Sequence, residues 1–508
     1  MTTFTFADFE SILASHIAPD DWQKIRHLPI TGICSDSRAV KNGEIFTLLS
    51  VNPDIKDKAK AFITPLSSAA VLSEFSKAEM DIDDTPMPIV YIPNLRLILG
   101  DFIAAFLQKQ QEICLPKIVA VTGTNGKTTI SQLIAQLGEL SNTPSAIMGT
   151  AGNGRIGNLT QSTHTTSEVI KVHEFLYAMA KQHVGMVALE ASSHGLHQHR
   201  LQGVPVQVAI FSNLSRDHLD YHTDMDCYAA AKAKLFDNTY FTHLHHAIIN
   251  IDDTFGQKLA ENLSHSAMTV WTYSLKDSQA DFFAQNITPS LDGTTFELKT
   301  PFDANPIKLH SPLLGRFNVA NLLASIAGFL AIYPNKFQEL PDIIRQLHGA
   351  RGRMQKVATP ANFGCFIVDY AHTPDALVQV LTSLKAHCTG NLWAVFGCGG
   401  DRDKGKRPQM TKAGLDYADQ VILTADNPRS ENVLSILNDM QVGMTCDDHY
   451  KTQIIPDRKE AILYAIKHAK ADDIVLIAGK GHETYQEING VRYDFDDVKI
   501  IQQYTQTN

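Results

Sequence analysis

Ile118-Val119-Ala120-Val121 is followed, after Thr122, by Gly123-Thr124-Asn125-Gly126-Lys127-Thr128-Thr129, and residues 130–140 then show an apolar helical period. This order decides the fold class. A short β-branched run that turns through glycines into a helix is one βα unit of a largely parallel α/β sheet. Backbone N–H groups of such a turn, at a helix N-terminus, form a cradle for anions. Lys127 is placed to reach terminal phosphates, and the Thr128 hydroxyl to ligand Mg²⁺. The eight-residue form of this pattern has glycine at position 121, where this chain has Val121, so the loop is a shortened G-x-x-G-K-T version. The plain alternative is a strand–helix turn that happens to contain Gly-Lys-Thr.

Outward from this unit, Val187-Ala188-Leu189, Ala209-Ile210-Phe211 and residues 247–251 read as further buried strands. A second cycle begins later. Phe366-Ile367-Val368 precedes Asp369, and a helical pattern follows Pro374. Residues 392–396 precede a glycine-rich turn, Val421-Ile422-Leu423 precedes Asp426, and residues 473–477 precede Gly479. Four strand ends with polar or glycine-rich turns predict a second, doubly wound α/β unit, which binds ligands beyond the carboxyl ends of its strands. Leu115-Pro116 is a candidate first linker and residues 349–353 a second.

The 508 residues are 44% hydrophobic and 19% charged, ordinary for a soluble globular protein, and the length suggests three domains. The formal charge of -10 argues against a general nucleic-acid or membrane-surface binder, while leaving room for a nucleotide held by a few cations. The N-terminus lacks a basic segment followed by an apolar one, so no signal peptide is expected. Residues 322–333 are apolar but too short to span a bilayer, and predict a core helix. The seven cysteines are scattered without a C-x-x-C pair, which predicts reduced thiols in a cytoplasmic protein and no zinc site.

Two further segments carry chemistry. Glu190-Ala191-Ser192-Ser193-His194 follows a strand, and a carboxylate there is a candidate Mg²⁺ ligand, since hard cations prefer oxygen. Residues 213–222, N-L-S-R-D-H-L-D-Y-H, hold two His, two Asp and an Arg. Singly, each residue has a bland reading as a cap or surface group.

Together, G-T-N-G-K-T-T, E-A-S-S-H-G-L, N-L-S-R-D-H-L-D-Y-H and Tyr228-Ala229-Ala230-Ala231-Lys232 resemble the Mur ligases of peptidoglycan synthesis. The match continues through residues 314–321, Gly352-Arg353-Met354, residues 369–375, residues 397–407, Asp426-Asn427-Pro428-Arg429 and Gly479-Lys480-Gly481-His482-Glu483. It runs from about residue 32 to about 485 and is most specific to the branch that adds 2,6-diaminopimelate.

The resemblance implies an α/β protein of three domains. These are residues 1–114 for the uridine diphosphate, 115–347 as a central P-loop ATPase with a mostly parallel sheet, and 348–508 as a Rossmann-like, doubly wound domain for the amino acid. It implies a cytoplasmic monomer using ATP and Mg²⁺, with no nucleic-acid partner and no membrane insertion. The substrates implied are UDP-N-acetylmuramoyl-L-alanyl-D-glutamate and meso-diaminopimelate, joined through an acyl phosphate. Lys127, Glu190, His218 and Lys232 are the implied catalytic residues. Thr128, Glu190, His218 and a carbamylated Lys232 are the implied metal set, against the alternative of an ordinary helix lysine at 232. Residues 123–129 with Asn318, Arg353 and Asp369 match ATP-binding positions. Thr165, Thr166, Ser192, Gln198 and Arg200 match positions for the nucleotide sugar, as do Ser35 and Ser37. His164 stands where a close relative has Asn. After Ser37 the match decays, because residues 52–62 lack the glycines usual there.

Arg402, Asp426, Asn427, Pro428, Arg429, Gly479 and Glu483 match the amino-acid site. Diaminopimelate differs from lysine by one distal carboxylate, which an arginine grips in a two-pronged pair. Lysine-adding relatives lack an arginine at 429, so its presence favours diaminopimelate. A folylpolyglutamate synthase keeps the ATP loop without the 397–407 and 426–429 combination, and a non-catalytic nucleotide-sugar sensor needs no Glu190, His218 and Lys232 array.

Overall fold

The computed structural model describes residues 4–50, 54–82, 85–162, 164–219, 221–290, 292–360 and 362–506. Asp220, in the His/Asp-rich segment, and Asn52 lie outside these. The chain forms two compact units. The first is Met1–Lys127, Asn142–Ile249 and Asp253–Val270; the second is Thr128–Ser141, Asn250–Asp252 and Trp271–Asn508.

The first unit opens with a four-stranded parallel sheet in the order Gly32–Cys34, Glu44–Leu48, Ala70–Ser73, Ile89–Tyr91. Side chains alternate along a strand, and both faces here are covered. Ile45, Leu72 and Val90 pack with Phe6, Phe9 and Phe102 on one face, while Phe46, Val71 and Ile89 pack with Ile63 and Met80 on the other. Residues 111–116, containing the Leu115-Pro116 linker candidate, have no regular structure and lead into the larger sheet.

There, five parallel strands lie in the order Ser145–Gly149, Met186–Glu190, Lys117–Thr122, Val206–Phe211, His246–Asn250. The glycine-rich loop therefore leaves the middle strand. Glu190 pairs with Val121 and Phe211 with Thr122, so the carboxyl ends of three strands stand level and their loops meet. The helix after the loop runs Lys127–Leu140, starting three residues earlier than the apolar period suggests.

The second unit contains a six-stranded sheet in the order Gln355–Lys356, Cys365–Asp369, Ile474–Ala478, Leu392–Phe396, Gln420–Leu423, Thr452–Ile454. Only the first strand is antiparallel. Helices Pro374–Lys385, Lys406–Tyr417 and Val433–Met440 cover one face through Leu377, Leu381, Met410 and Leu437. Helices Arg458–His468 and Asp497–Gln506 cover the other through Ala461, Ile462 and Ile501. The sheet is doubly wound, as its sequence pattern predicts. Helix Arg316–Ile332 is buried along most of its length, which accounts for the apolar run at 322–333.

Arg458, 1% exposed, joins two of these strand ends. Its guanidinium pairs twice with the buried Asp497 (2.9 and 2.8 Å) and donates to the carbonyls of Ala425 (3.3 Å) and Ala478 (3.1 Å). Removing one member of a buried pair strands the other charge. Arg458→Ala is therefore expected to lose about 3–5 kcal/mol of stability, read by urea denaturation.

Candidate functional site

In the first unit the site is built around residues 123–127. Gly123 has φ +144° and Gly126 φ +89°, and a Cβ on Gly123 would stand 1.9 Å from Ser212 Oγ. Glycine is required here because the loop lies directly against the next strand end. Asn213 carries it: the Thr124 N–H donates to the Asn213 carbonyl (2.7 Å) and the Asn125 N–H to Asn213 Oδ1 (2.9 Å). The Ser212 hydroxyl and the Asn213 amide both donate to the Asn125 carbonyl (2.5 and 3.1 Å). Thr124 Oγ1 accepts from the Ser215 N–H (2.9 Å) and meets the Tyr228 hydroxyl (3.2 Å). The loop is thus held on its inner side, with the Thr124 and Asn125 amides committed to Asn213.

Two lysines converge on it. Lys127 Nζ donates to the carbonyls of Gly123 and Thr124, both at 2.9 Å. Lys232, on helix Met225–Ala233, is 1% exposed; its Nζ donates to the same Gly123 carbonyl (2.8 Å) and lies 4.3 Å from the centroid of the Tyr228 ring. Burial, and then the nearby Lys127 charge, lower the Lys232 pKa to about 6. Burial thus favours the uncharged amine. Burial also pushes the Tyr228 phenol up to about 12.

Glu190 is 2% exposed. Its carboxylate accepts from the Thr150 N–H (2.9 Å) and the Thr150 hydroxyl (3.1 Å). Gly149 must lack a side chain, since its Cβ would stand 2.1 Å from Glu190 Oε1. His218 has φ +53° and a ring 5.0 Å from that of His194, with its Nε2 3.5 Å from Asp217. Among the described residues there is no group of three or more His, Cys, Asp and Glu that could hold a metal. The His218 imidazole is the poorer donor for a hard divalent cation, which the buried Glu190 carboxylate still suits. An amine at 232 does not; the carbamate of that amine would, and an uncharged buried amine is the form that can make one.

Thr165, Thr166, Ser192, Gln198 and Arg200 form one network. Thr165 Oγ1 meets Thr150 Oγ1 (3.1 Å), and the Thr166 hydroxyl donates to the Glu190 carbonyl (2.7 Å). The Ser192 N–H donates to Thr166 Oγ1 (2.9 Å), and Ser192 Oγ caps helix Ser193–His197 at the Gly195 N–H (3.0 Å). Arg200 donates to the Thr166 carbonyl (2.8 Å) and twice to Gln198 Oε1 (3.0 and 2.7 Å). His164 is exposed beside this network, while Ser35 and Ser37 occupy the turn after strand Gly32–Cys34. Thr150, absent from the sequence-derived residues, is the direct partner of Glu190. Its only signal was its place after the strand ending at Gly149.

The second unit has its own cluster at strand ends. Residues 426–429 lie flush against residues 397–400: a Cβ on Gly400 would stand 1.9 Å from the Pro428 carbonyl oxygen, and the Gly400 N–H donates to the Asn427 carbonyl (2.9 Å). Arg429 has φ +50°. The hairpin of strands Tyr485–Ile488 and Val491–Asp494 holds its backbone, with the Arg429 N–H donating to the Glu487 carbonyl (3.0 Å) and the Asn489 N–H to the Arg429 carbonyl (2.7 Å). Its guanidinium donates through Nη1 to the Gly400 carbonyl (2.7 Å), with Nε 4.0 Å from the Glu487 carboxylate. Arg402 is exposed, and a Cβ on Gly399 would approach both Arg429 Nη1 (3.0 Å) and Arg402 Cγ (3.8 Å). Asp426 is buried, which raises its pKa against the opposing pull of Arg458 and Lys480. Its Oδ1 has no hydrogen-bond partner. Gly479, φ +114°, admits Asp426 Oδ2 to 3.1 Å of where a Cβ would be.

Asp369 and Asn318 are turned inward. Asp369 Oδ2 accepts from the Met354 N–H (2.6 Å) and Oδ1 from the Ala371 N–H (2.7 Å), and burial raises its pKa against the pull of Arg353. Arg353 lies over the Tyr370 ring at 4.9 Å. Asn318 donates to the Leu314 carbonyl (2.8 Å). All seven cysteines, Cys34, Cys114, Cys227, Cys365, Cys388, Cys398 and Cys446, are free thiols, and among the described residues no helix is long and apolar enough to cross a membrane.

Residues 121–328 match the family described as Mur ligase middle domain, and residues 352–481 match the Mur ligase, glutamate ligase domain. A UDP-N-acetylmuramoyl-L-alanyl-D-glutamate–2,6-diaminopimelate ligase of Coxiella burnetii is 40% identical over 475 residues, covering 92% of this chain and 94% of that protein. The protein of the same name from Pseudomonas aeruginosa is 40% identical over 483 residues, covering 94% and 95%. A solved structure of a UDP-N-acetylmuramoyl-L-alanyl-D-glutamate–2,6-diaminopimelate ligase superposes with a TM-score of 0.75 at 42% identity, covering 100% of this chain and 99% of that one. A folylpolyglutamate synthase of Mycobacterium tuberculosis shares the fold at a TM-score of 0.57 and 16% identity, covering 75% and 92%.

Proposed function

The chain belongs to the Mur ligase family, and from that membership we propose that it joins meso-diaminopimelate to UDP-N-acetylmuramoyl-L-alanyl-D-glutamate, with ATP converted to ADP and phosphate. It is an ATP-dependent amide-forming ligase of peptidoglycan precursor synthesis. The D-glutamyl side-chain carboxylate attacks the γ-phosphorus, and the bond to the β,γ-bridging oxygen breaks to release ADP. A diaminopimelate amine then attacks the acyl carbon; phosphate leaves with its oxygen, and the amine proton passes to solvent or phosphate.

Phosphoryl transfer of this kind needs positioning and charge neutralisation more than covalent help. The loop 123–128 would cradle the phosphates, chiefly through its amides beyond Asn125 at the helix N-terminus, and Lys127 would turn its ammonium from the loop carbonyls to the γ-phosphoryl oxygens. Mg²⁺, held by Thr128, Glu190, His218 and the carbamate of Lys232, would neutralise phosphate charge. Thr165, Thr166, Ser192, Gln198 and Arg200, with Ser35, Ser37 and His164, would hold the nucleotide sugar. Asn318, Arg353 and Asp369 would serve the adenosine side. In the amino-acid site, Arg402 and Arg429 would take carboxylates, and Asp426 and Glu483 an ammonium. The domain division that follows is 1–114, 115–347 and 348–508, in a cytoplasmic monomer that binds no nucleic acid.

The observation that carries the choice of amino acid is Arg429, whose guanidinium is pinned at one nitrogen by the Gly400 carbonyl. The experiment is an ADP-release assay with each substrate omitted in turn. Turnover is expected only when ATP, the UDP-muramoyl dipeptide and meso-diaminopimelate are all present. ADP release that ignores the amino acid would sink the reading, as would binding of the nucleotide sugar without any turnover.

A further inference from the structure

Lys480 has no assigned part in the site just proposed, yet its side chain is wholly buried there. A lysine at 0% exposure is rare unless paired. Its Nζ stands 3.0 Å from Asn427 Oδ1, 3.3 Å from Glu483 Oε2 and 3.8 Å from Asp426 Oδ1. These three residues belong to the proposed amino-acid receptor. We infer that Lys480 is a positioning residue that fixes the geometry and the net charge of the receptor for the substrate ammonium; the inference rests on the function proposed above.

The geometric part follows from donors and acceptors. Asn427 Oδ1 accepts from Lys480 and also from the Glu487 N–H (3.0 Å). The amide oxygen is thereby committed, so the amide nitrogen must point the other way, where it donates to Glu483 Oε2 (2.9 Å). Lys480 and Asn427 thus meet Glu483 on one oxygen, leaving Oε1 to accept from an incoming ammonium. The nearby hairpin reinforces the arrangement, because Gln486 Nε2 donates to the Asp426 carbonyl (2.7 Å).

The charge part follows from counting. Asp426 and Glu483 carry two negative charges, Lys480 one positive, and the Arg458–Asp497 pair none in sum. Around Lys480 one acid is thus in excess of the bases, matched to one ammonium, while Arg402 and Arg429 face the carboxylates. Without Lys480, two carboxylates would share a buried site, and one would take up a proton rather than bind a cation.

The test measures KM separately for meso-diaminopimelate, ATP and the UDP-muramoyl dipeptide. For Lys480→Met, KM for diaminopimelate is expected to rise ~10–100-fold, the span of one lost charge-assisted hydrogen bond, with the other two KM values within about twofold. A merely structural lysine would move all three or none. An unmoved KM for diaminopimelate in a variant that binds ATP normally overturns the inference. If Lys480→Met does not fold, Lys480→Met/Glu483→Gln is compared with Glu483→Gln alone; the double variant carries one more negative charge, so charge by itself would lower its KM for diaminopimelate. A rise of ~10-fold or more over Glu483→Gln supports positioning of Asn427 and Asp426 by Lys480, and an equal or lower KM overturns it. Wild-type enzyme that turns over without diaminopimelate overturns the functional reading itself, and this inference with it. A diaminopimelate-dependent wild type with an unmoved variant overturns this inference alone.

Discussion

Lys232→Ala is expected to lower turnover by about 10²–10³-fold or more, the scale of removing one electrostatic contact to a transition state, while the protein still folds. The side chain is buried against Tyr228, so a cavity forms, but no ion-pair partner is stranded, since burial already disfavours the charged form of this amine. The loss would come from the metal set, where a carbamate oxygen is the proposed ligand. Small carboxylates are therefore expected to restore part of the activity of Lys232→Ala by standing in the space the carbamate filled. Carbon-13 bicarbonate should label wild type and not the variant. The position of the nearby Lys234 supplies the control. Its Nζ meets His199 Nε2 at 3.2 Å rather than the loop, so Lys234→Ala should keep both the label and most of the activity. Full activity in Lys232→Ala, or an inactive variant indifferent to carboxylates, would remove Lys232 from the metal set.

The wild-type enzyme is expected to prefer meso-diaminopimelate over L-lysine by as much as ~10⁴-fold, and Arg429→Ala to remove most of that preference. The loss on diaminopimelate itself should be ~10–100-fold in kcat/KM, from the charge-assisted bonds to the distal carboxylate. Lysine leaves the guanidinium without the distal carboxylate, facing the Glu487 carboxylate at 4.0 Å, so the loss of the site's own pairing adds to the value of the bonds. Arg429→Lys is expected to rescue little. The Gly400 carbonyl already takes Nη1, and the left-handed backbone at 429 is clamped by Glu487 and Asn489, so the fork is aimed before substrate arrives. A point charge on a flexible stem does not reproduce that aim. A wild type that favours lysine would refute the specificity assignment.

Much of this was legible from residue order. Strand, glycine turn and helix at 118–140, and the polar turns after residues 368, 396, 423 and 477, lie at strand ends as read, because buried parallel strands are short apolar runs whose exits must be polar. Helix Lys127–Leu140 began earlier than its period suggested, because its first turn serves the loop and carries Lys127 and Thr128 instead of core side chains. The supports were not legible. Thr150 meets Glu190 across 40 residues, Asp497 meets Arg458 across 39, and Lys480 meets Asn427 across 53. None of these separations has a local signature.

The sequence by itself determined the α/β class, the place of the glycine-rich loop and the family, since those rest on local propensity and on motifs whose order survives in one dimension. Only the tertiary structure decided that Lys232 is buried at a loop carbonyl with its pKa lowered, that Arg429 is aimed by a hairpin some sixty residues on, and that Lys480 is buried among the groups proposed to read the substrate. The physical reason is that protonation state and side-chain aim depend on burial and on neighbours brought together by sheet register, and a linear chain contains neither until it folds.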